Sequence, residues 1–491
     1  MNLLAHKRAA GFAGRVIIGL LPVFAVTCTG SRPGRVFTYR EVMIPMRDGV
    51  RLQTVIVTPV NQPAPLPILF RRTPYGVPAK APEQIPDNLK ELAQDGYVFV
   101  IQNLRGRFKS EGVFKLTSQV DLSNPQATNE STDAYDSIDW LIKNVPDNNG
   151  KVGMLGVSYD GLTTALALLH PHSALKAISE QASPVDQWMN DDYHRYGALR
   201  ESYAFEYSVL EQADKDKNTH FEFDTYDTYR WYLDLGPLSN INTKYLHRAL
   251  PFWNSTVEHP DYDDFWKSEA WIRQLHAATV PNLNVAGFWD QEDPWGPWQI
   301  FRHSEEHDPD HINFMVAGPW YHGEWHTPKG DSIGIIPFGG HETAREFRAN
   351  IEAPFFRHFL HDMGEKAGWK VSTFQSGTNS WHQYGVWPPA EVRAKNLYLH
   401  ADGTLSFTAP SAAENTKYRE YVSDPAQPVP YRRLPVSPTY PGGDWRTWEV
   451  ADQRFVEDRP DVLTFVSAPL GHNITVTGPL AADLFASTSG R

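Results

Sequence analysis

The segment Gly156-Val157-Ser158-Tyr159-Asp160-Gly161 fits the pattern G-x-S-x-G. Glycines two positions either side of a serine let neighbouring backbones close in. A sharp strand-to-helix turn can then lift the serine oxygen above a helix N-terminus as a nucleophile. A serine nucleophile needs a base, and the base needs an orienting acid. On this kind of turn the order along the chain is serine, then acid, then histidine, each partner on a loop leaving the carboxyl end of a strand. Asp290 follows the apolar run "NLNVAGFW" and His322 follows "INFMVAGPWY", so both satisfy that placement. His170, His172, His303, His307 and His311 lie in helix-end or polar contexts that suit solvated histidines, and His400 falls in a β-rich region. An oxyanion hole combines the backbone N–H of the residue after the nucleophile, here Tyr159, with a second donor near the end of an early strand. The phenol of Tyr75 in "FRRTPYG" is a candidate for that donor; an aromatic packed beside a proline turn is the structural alternative.

The stretch "FWDQEDPWG" sets Asp290, Glu292 and Asp293 among tryptophans. If Asp290 serves the histidine, the other two acids are surplus to a serine mechanism. They read equally as solvated loop acids, partners of nearby arginines or, less well, calcium ligands, since the spacing and turn glycine of a calcium loop are missing. Paired carboxylates amid aromatics also fit a glycosidase, but that reading leaves Ser158 and His322 without a role.

These residues need a scaffold, and the chain has the grammar of one. "LQTVIVTP", "LPILFRR" and "YVFVIQN" read as strands bounded by Pro and Gly. A helix is predicted over residues 133–144, capped by Ser131 or Thr132 and stopped before Pro146. "GKVGMLGVSYDGLTTALALLH" then reads as strand, turn and helix. Such alternation implies a largely parallel sheet covered by helices. Across residues 183–275 the strand runs give way to helical segments loaded with Tyr, Phe and Trp, as an inserted cap would be. The sheet pattern resumes over 276–394, so the α/β domain spans 36–182 and 276–394. Residues 395–491 read as all-β: "NLYLHADGTLSF" is two strands about an Asp-Gly turn, followed by "TKYREYV", "DVLTFVSAPL", "NITVTG" and "AADLFAST". "SDPAQPVPYRRLPVSPTYPGGD" is a Pro-rich crossing loop.

Bulk properties bound the function. A chain of 491 residues with 41% hydrophobic residues and 16 Trp can build two or three domains and aromatic-lined pockets. A formal charge of −13 argues against nucleic-acid or anionic-membrane partners, which need a basic face, and favours a cationic or neutral small substrate. Lys7, Arg8 and Arg15 ahead of a short apolar segment make residues 1–30 a signal peptide, so the protein is expected to be exported, to the periplasm or beyond. Cys28, the single cysteine, closes that segment as a cleavage-region residue or as a lipid attachment site. With Cys28 in the export segment and no second cysteine, internal disulfides, thiol catalysis and cysteine-ligated zinc are excluded for the mature protein.

"RRTPYG", "NLRGRFKSEG", "GVSYDG", "FWDQED" and "GPWYHGEW", in this order, resemble the cocaine-esterase and X-Pro dipeptidyl-peptidase (S15) group of serine hydrolases. Within it they are most similar to the α-amino-acid ester hydrolases, which act on β-lactam antibiotic side chains. The resemblance runs from about Phe37 to the C-terminus. It implies an α/β-hydrolase domain, a helical cap and a C-terminal jelly roll, with Ser158, Asp290 and His322 as the triad and Tyr75 and Tyr159 at the oxyanion hole. It further implies a carboxylate cluster of Asp192, Glu292 and Asp293 that binds the substrate's α-ammonium, with Asp191 as a neighbouring alternative to Asp192. No cofactor is needed, and larger homo-oligomers are common in the family. The jelly roll of that family continues past the point where this chain stops, so a truncated sandwich with an open edge is expected. A general esterase, an acylase or an X-Pro peptidase is the alternative within the family. A non-catalytic ligand- or carbohydrate-binding protein is the alternative outside it.

Overall fold

The computed structural model describes residues 36–490 except 118, 125, 191, 415 and 416. Residues 1–30, expected to be a signal peptide, together with Cys28 and Asp191, lie outside the described residues. No helix among the described residues is long and apolar enough to cross a membrane.

A ten-stranded sheet forms the centre. Its strands are β1 (Phe37–Pro45), β2 (Arg51–Pro59), β3 (Leu66–Thr73), β4 (Val98–Asn103), β5 (Asn148–Val157), β6 (Leu175–Gln181), β7 (Asn282–Gly287), β8 (Asn313–Gly318), β9 (Val371–Gln375) and β10 (Ser380–Tyr384). They lie in the order β1-β2-β4-β3-β5-β6-β7-β8-β9-β10. β1, β2 and β4 pair antiparallel, and β10 pairs antiparallel with β9. Every pairing from β4 through β3, β5, β6, β7 and β8 to β9 is parallel. These inner strands are buried on both faces, and this explains their continuous apolar runs in place of alternation. Because they are parallel, their carboxyl ends share one edge of the sheet, where α/β folds place their sites. Tyr75, Ser158, Asp290 and His322 lie within four residues of the ends of β3, β5, β7 and β8 respectively.

The helix α1 (Glu130–Asn144) starts earlier than its apolar stripe suggests. Asn129, rather than Ser131 or Thr132, caps it: Asn129 Oδ1 accepts from Thr132 N at 3.1 Å while Thr132 Oγ1 accepts from Asn129 N at 3.0 Å. This reciprocal box satisfies two donors that the first turn would leave orphaned. Ser131 and Thr132 are themselves buried within the first turn. The helix α2 (Tyr159–Leu166) follows β5 directly, and between β6 and β7 the chain leaves the sheet for a mainly helical excursion that holds a two-residue antiparallel hairpin (His194–Arg195 with Ala198–Leu199) and the helices α3 (Glu201–Gln212), α4 (Thr228–Leu235), α5 (Pro251–Glu258) and α6 (Asp264–Glu269). Its aromatic load packs inward: Trp253 and Trp266 are fully buried, and Phe205, Phe221 and Trp231 meet edge-to-face or stacked. A further helix, α7 (Gly296–Glu305), covers β7 and β8, and α8 (Ala353–His361) covers β5 and β6.

The C-terminal region departs from expectation. The Asp-Gly hairpin forms between β11 (Tyr398–Leu399) and β12 (Thr404–Ser406), and β13 (Val466–Ser467) joins β12 in parallel. "NITVTG" and "AADLFAST" are not strands, and "DVLTFVSAPL" contributes only the two residues of β13. A strand exists only where a neighbour completes its ladder, and these largely exposed segments have none among the described residues. Residues 417–422 are also without strand, and Arg419 spends its guanidinium on Thr464 O at 3.0 Å. By contrast, the Pro-rich crossing loop is well anchored. Thr228 N donates to Val436 O at 2.9 Å, Val436 N to Asp227 Oδ1 at 2.9 Å and Tyr440 N to Glu206 Oε2 at 3.1 Å, so the loop is fastened to the helical excursion.

Candidate active site

Ser158 stands between β5 and α2 with φ +63° and ψ −127°, a backbone conformation unfavourable for a residue with a side chain. Its flanking glycines make the turn feasible. A Cβ on Gly156 would lie 2.3 Å from the carbonyl of Asp160, and one on Gly161 2.5 Å from Gln181 O. Ser158 N donates to Gln181 O at 2.9 Å, which ties the turn to the end of β6.

His322 Nδ1 donates to Asp290, at 2.9 and 3.0 Å from its two oxygens. Asp290 is fully buried, and its Oδ1 also accepts the backbone N–H groups of Glu292 and Asp293, each at 2.9 Å. Burial pushes the pKa of this carboxyl up, but His322 and the two N–H groups outweigh it and hold the pKa below the usual carboxylate range. The imidazole is therefore held in one tautomer, with Nε2 facing the pocket.

Tyr75 brings its hydroxyl to the Ser158 side chain, and that hydroxyl lies 3.0 Å from the hydroxyl of Tyr207. Burial, then the charges of Glu211 and Asp160, push the Tyr75 phenol well above its ordinary pKa, so it stays a protonated donor. Tyr159 N is the first N–H of α2. A phenolic O–H and a helix-terminal N–H thus flank the serine, as an oxyanion site requires.

The surplus acids turn inward. Glu292 Oε2 is 3.6 Å from His322 Nε2, and Asp192 is buried beside it. The Tyr203 hydroxyl bridges Asp192 Oδ1 and Glu292 Oε2, the latter at 3.1 Å. Burial, then the charges of Asp192, Glu292 and Asp293 among others, raise the Tyr203 phenol. Asp293 is fully buried. Burial first, and then the Glu292 charge, raise the pKa of Asp192, against the pull of the Tyr203 hydroxyl. Asp192 and Glu292 therefore share one water-poor hollow next to the imidazole, with Asp293 buried one residue further along the same loop. Among the described residues there is no cluster of side chains built to hold a metal ion.

The profile of the X-Pro dipeptidyl-peptidase (S15) family matches residues 48–324, and that of the X-Pro dipeptidyl-peptidase C-terminal non-catalytic domain matches residues 365–491. The chain belongs to the S15 family. It is 29% identical over 469 residues to a cocaine esterase of Rhodococcus sp. (strain MB1 Bresler), covering 91% of this chain and 77% of that one. A solved α-amino acid ester hydrolase superposes with TM-score 0.85 at 36% identity, covering 93% of this chain and 77% of that chain. An aminopeptidase from a marine sediment Thaumarchaeota archaeon superposes with TM-score 0.82 at 36% identity, covering 90% and 74%. This S15 protein is accordingly an α/β-hydrolase-fold serine hydrolase with a C-terminal β domain.

Several residues of the S15 site escape motif reading. Tyr203 and Tyr207 come from α3, one turn apart on its buried face. Their four-residue spacing in "ESYAFEYS" is the one signal that could have found them. Tyr440 and Trp445 come from the crossing loop, far along the chain: the Trp445 indole N–H donates to Glu292 Oε1 at 2.9 Å, and the Tyr440 hydroxyl donates to Glu292 Oε2 at 3.3 Å. Arg200 lies over the rings of Tyr203 and Trp445 and donates to Asp192 O at 3.1 Å. Of the competing histidines, His170 stacks on Tyr135, His303 bonds Gln299 O and His400 bonds Glu414, each away from the pocket.

Proposed function

We propose that this protein is an α-amino-acid ester and amide hydrolase, able to transfer the acyl group as well as hydrolyse it, on substrates such as β-lactam antibiotic side chains. The observation that carries this reading is the Asp192–Tyr203–Glu292 bridge beside His322. Neighbouring buried carboxylates raise one another's pKa unless a cation joins them, and a substrate α-ammonium is such a cation. The two structural relatives named above are an α-amino acid ester hydrolase and an aminopeptidase, which supports the same reading.

In the proposed reaction Ser158 Oγ attacks the ester or amide carbonyl while His322 Nε2 takes its proton. The tetrahedral oxyanion receives hydrogen bonds from Tyr159 N–H and the Tyr75 hydroxyl. His322 then gives the proton to the departing alcohol or amine, leaving an acyl-enzyme on Ser158. Water, or an incoming amine such as a β-lactam nucleus, attacks that ester and restores the serine. Asp290 holds the imidazole throughout, and Asp192, Glu292 and Asp293 grip the α-ammonium.

The test compares kcat/KM for a p-nitrophenyl ester of alanine with that of propionate, which differ in the α-amino group alone. A preference of about a hundredfold or more is expected, because the desamino ester brings no cation to the buried carboxylates. Equal values would reduce the protein to a general esterase of the family. Ser158→Ala should abolish both activity and labelling by a fluorophosphonate; an unlabelled wild-type enzyme would favour a non-catalytic binding role.

A further inference from the structure

His322 is held between two carboxylates. Asp290 engages Nδ1 at 2.9 Å, and Glu292 Oε2 stands 3.6 Å from Nε2, the nitrogen that must take the serine proton. Both acids belong to one short loop, because Asp290 Oδ1 accepts the Glu292 N–H. We propose that Glu292 is a latch on the imidazole as well as a ligand for substrate: in the free enzyme its carboxylate pairs with Nε2, and the arriving α-ammonium takes that carboxylate away. The proposal rests on the ammonium-pocket reading and extends it from binding to catalysis.

The surroundings of the ring favour an imidazolium in the substrate-free enzyme. From the loop after β7, the ring faces Asp290 and Glu292; from the helical excursion, Asp192, with Tyr203 between the acids and Arg200 acting on Asp192. From the crossing loop come Tyr440 and Trp445, both neutral donors to Glu292. Glu449, in the same C-terminal stretch, feels Asp290 and is pushed by burial to about 7. Burial pulls the His322 pKa down, but Asp290, Glu292 and Asp192 outweigh it and raise it to about 9. Below that pH, Nε2 carries a proton and cannot accept one from Ser158.

An ammonium between Asp192 and Glu292 cancels two of the three charges that stabilise the imidazolium. The ring then loses its Nε2 proton to solvent and becomes the base. In proton balance, imidazolium enzyme plus ammonium substrate gives neutral-imidazole complex plus one released proton. A substrate without the amino group would meet an enzyme still latched, so discrimination would appear in kcat as well as in affinity. Replacing Glu292 by Gln keeps an acceptor for the Trp445 and Tyr440 donors while removing the charge.

The experiment follows the pH dependence of kcat, whose acid limb reports the base in the enzyme–substrate complex. With wild-type full chain, the propionate p-nitrophenyl ester should show an acid limb near pH 9, and the alanine ester a limb at least one unit lower. One unit corresponds to about a tenfold difference in the fraction of neutral imidazole near pH 7. Glu292→Gln should bring the two limbs together and raise propionate turnover at pH 7 about tenfold. Coincident limbs in wild type would overturn the latch, even if the variant failed to fold. The ammonium pocket is judged separately: a retained kcat/KM preference for alanine with coincident limbs sinks the latch alone, while equal kcat/KM for the two esters sinks both.

Discussion

The hydroxyls of Tyr75 and Tyr207 meet at 3.0 Å, which couples the donor beside Ser158 to helix α3 of the excursion over the sheet. With its proton pointed at a developing oxyanion, Tyr75 has an oxygen lone pair left to accept, and Tyr207 is placed to donate to it and fix the orientation of the phenol. Tyr75→Phe is expected to lower kcat by about a hundredfold or more, the usual effect of losing one oxyanion donor. Tyr207→Phe should lower kcat by about tenfold with little change in KM, since a weaker orientation is lost and not the donor itself. Steady-state kinetics on the alanine ester measures both; an unchanged kcat for Tyr207→Phe would remove the coupling.

Trp445→Phe keeps an aromatic ring against Tyr203 and Tyr431 but withdraws the 2.9 Å bond to Glu292 Oε1. A hydrogen bond to a charged group is worth about 1.5 kcal/mol or more. Roughly a tenfold fall in kcat/KM for amino esters is expected, with the desamino ester nearly unaffected. A uniform fall for both would mean the tryptophan acts by packing alone.

Gly156→Ala and Gly161→Ala should each fold poorly. Their new methyl groups would sit within 2.5 Å of backbone atoms of Asp160 and Gln181, which cannot swing aside as a side-chain tip can. Overpacking of this kind costs about 1–3 kcal/mol. A drop in melting temperature together with loss of fluorophosphonate labelling would report the collapse of the turn.

Glu211 predicts how stability changes with pH. It is buried in α3, and neither carboxylate oxygen accepts a hydrogen bond. Arg107 is 3.7 Å away, but its guanidinium donates to Pro74 O, Glu211 O, Asp214 O and Asn218 Oδ1. Burial therefore prevails over Arg107 and raises the Glu211 pKa from its ordinary 4.5 to about 8. A carboxyl whose folded pKa exceeds its unfolded one stabilises fully below the unfolded value, and loses that contribution as pH rises through the folded value. Melting temperature should thus decline between about pH 4.5 and 8, and Glu211→Gln should flatten the decline. An identical slope in the variant would count against this account.

The positions of Ser158, Asp290 and His322 on loops at the sheet edge were legible because each loop follows a strand with an apolar run and a glycine at or next to its end. Gly156, Gly287 and Gly318 all sit at such ends. The helical excursion was legible from its aromatic content and the absence of strand runs. The start of α1 was misread because apolar periodicity marks the buried stripe, whereas the first turn is set by Asn129, a polar residue outside the stripe. The C-terminal strands were overcounted because alternation describes a face and cannot supply a ladder partner. Tyr440 and Trp445 left no trace in local pattern, since their neighbours in the pocket, Glu206 and Glu292, are brought to them by the tertiary path of the crossing loop.

That loop carries an evolutionary consequence. The strands and turns that carry Ser158, Asp290 and His322 tolerate little variation, because glycine clashes and a buried carboxylate leave no slack. The fastened loop from Val436 to Trp445 borders the same hollow without belonging to that rigid machinery. Drift or directed mutagenesis confined to it can retune which acyl groups are welcomed while the reaction itself is left intact.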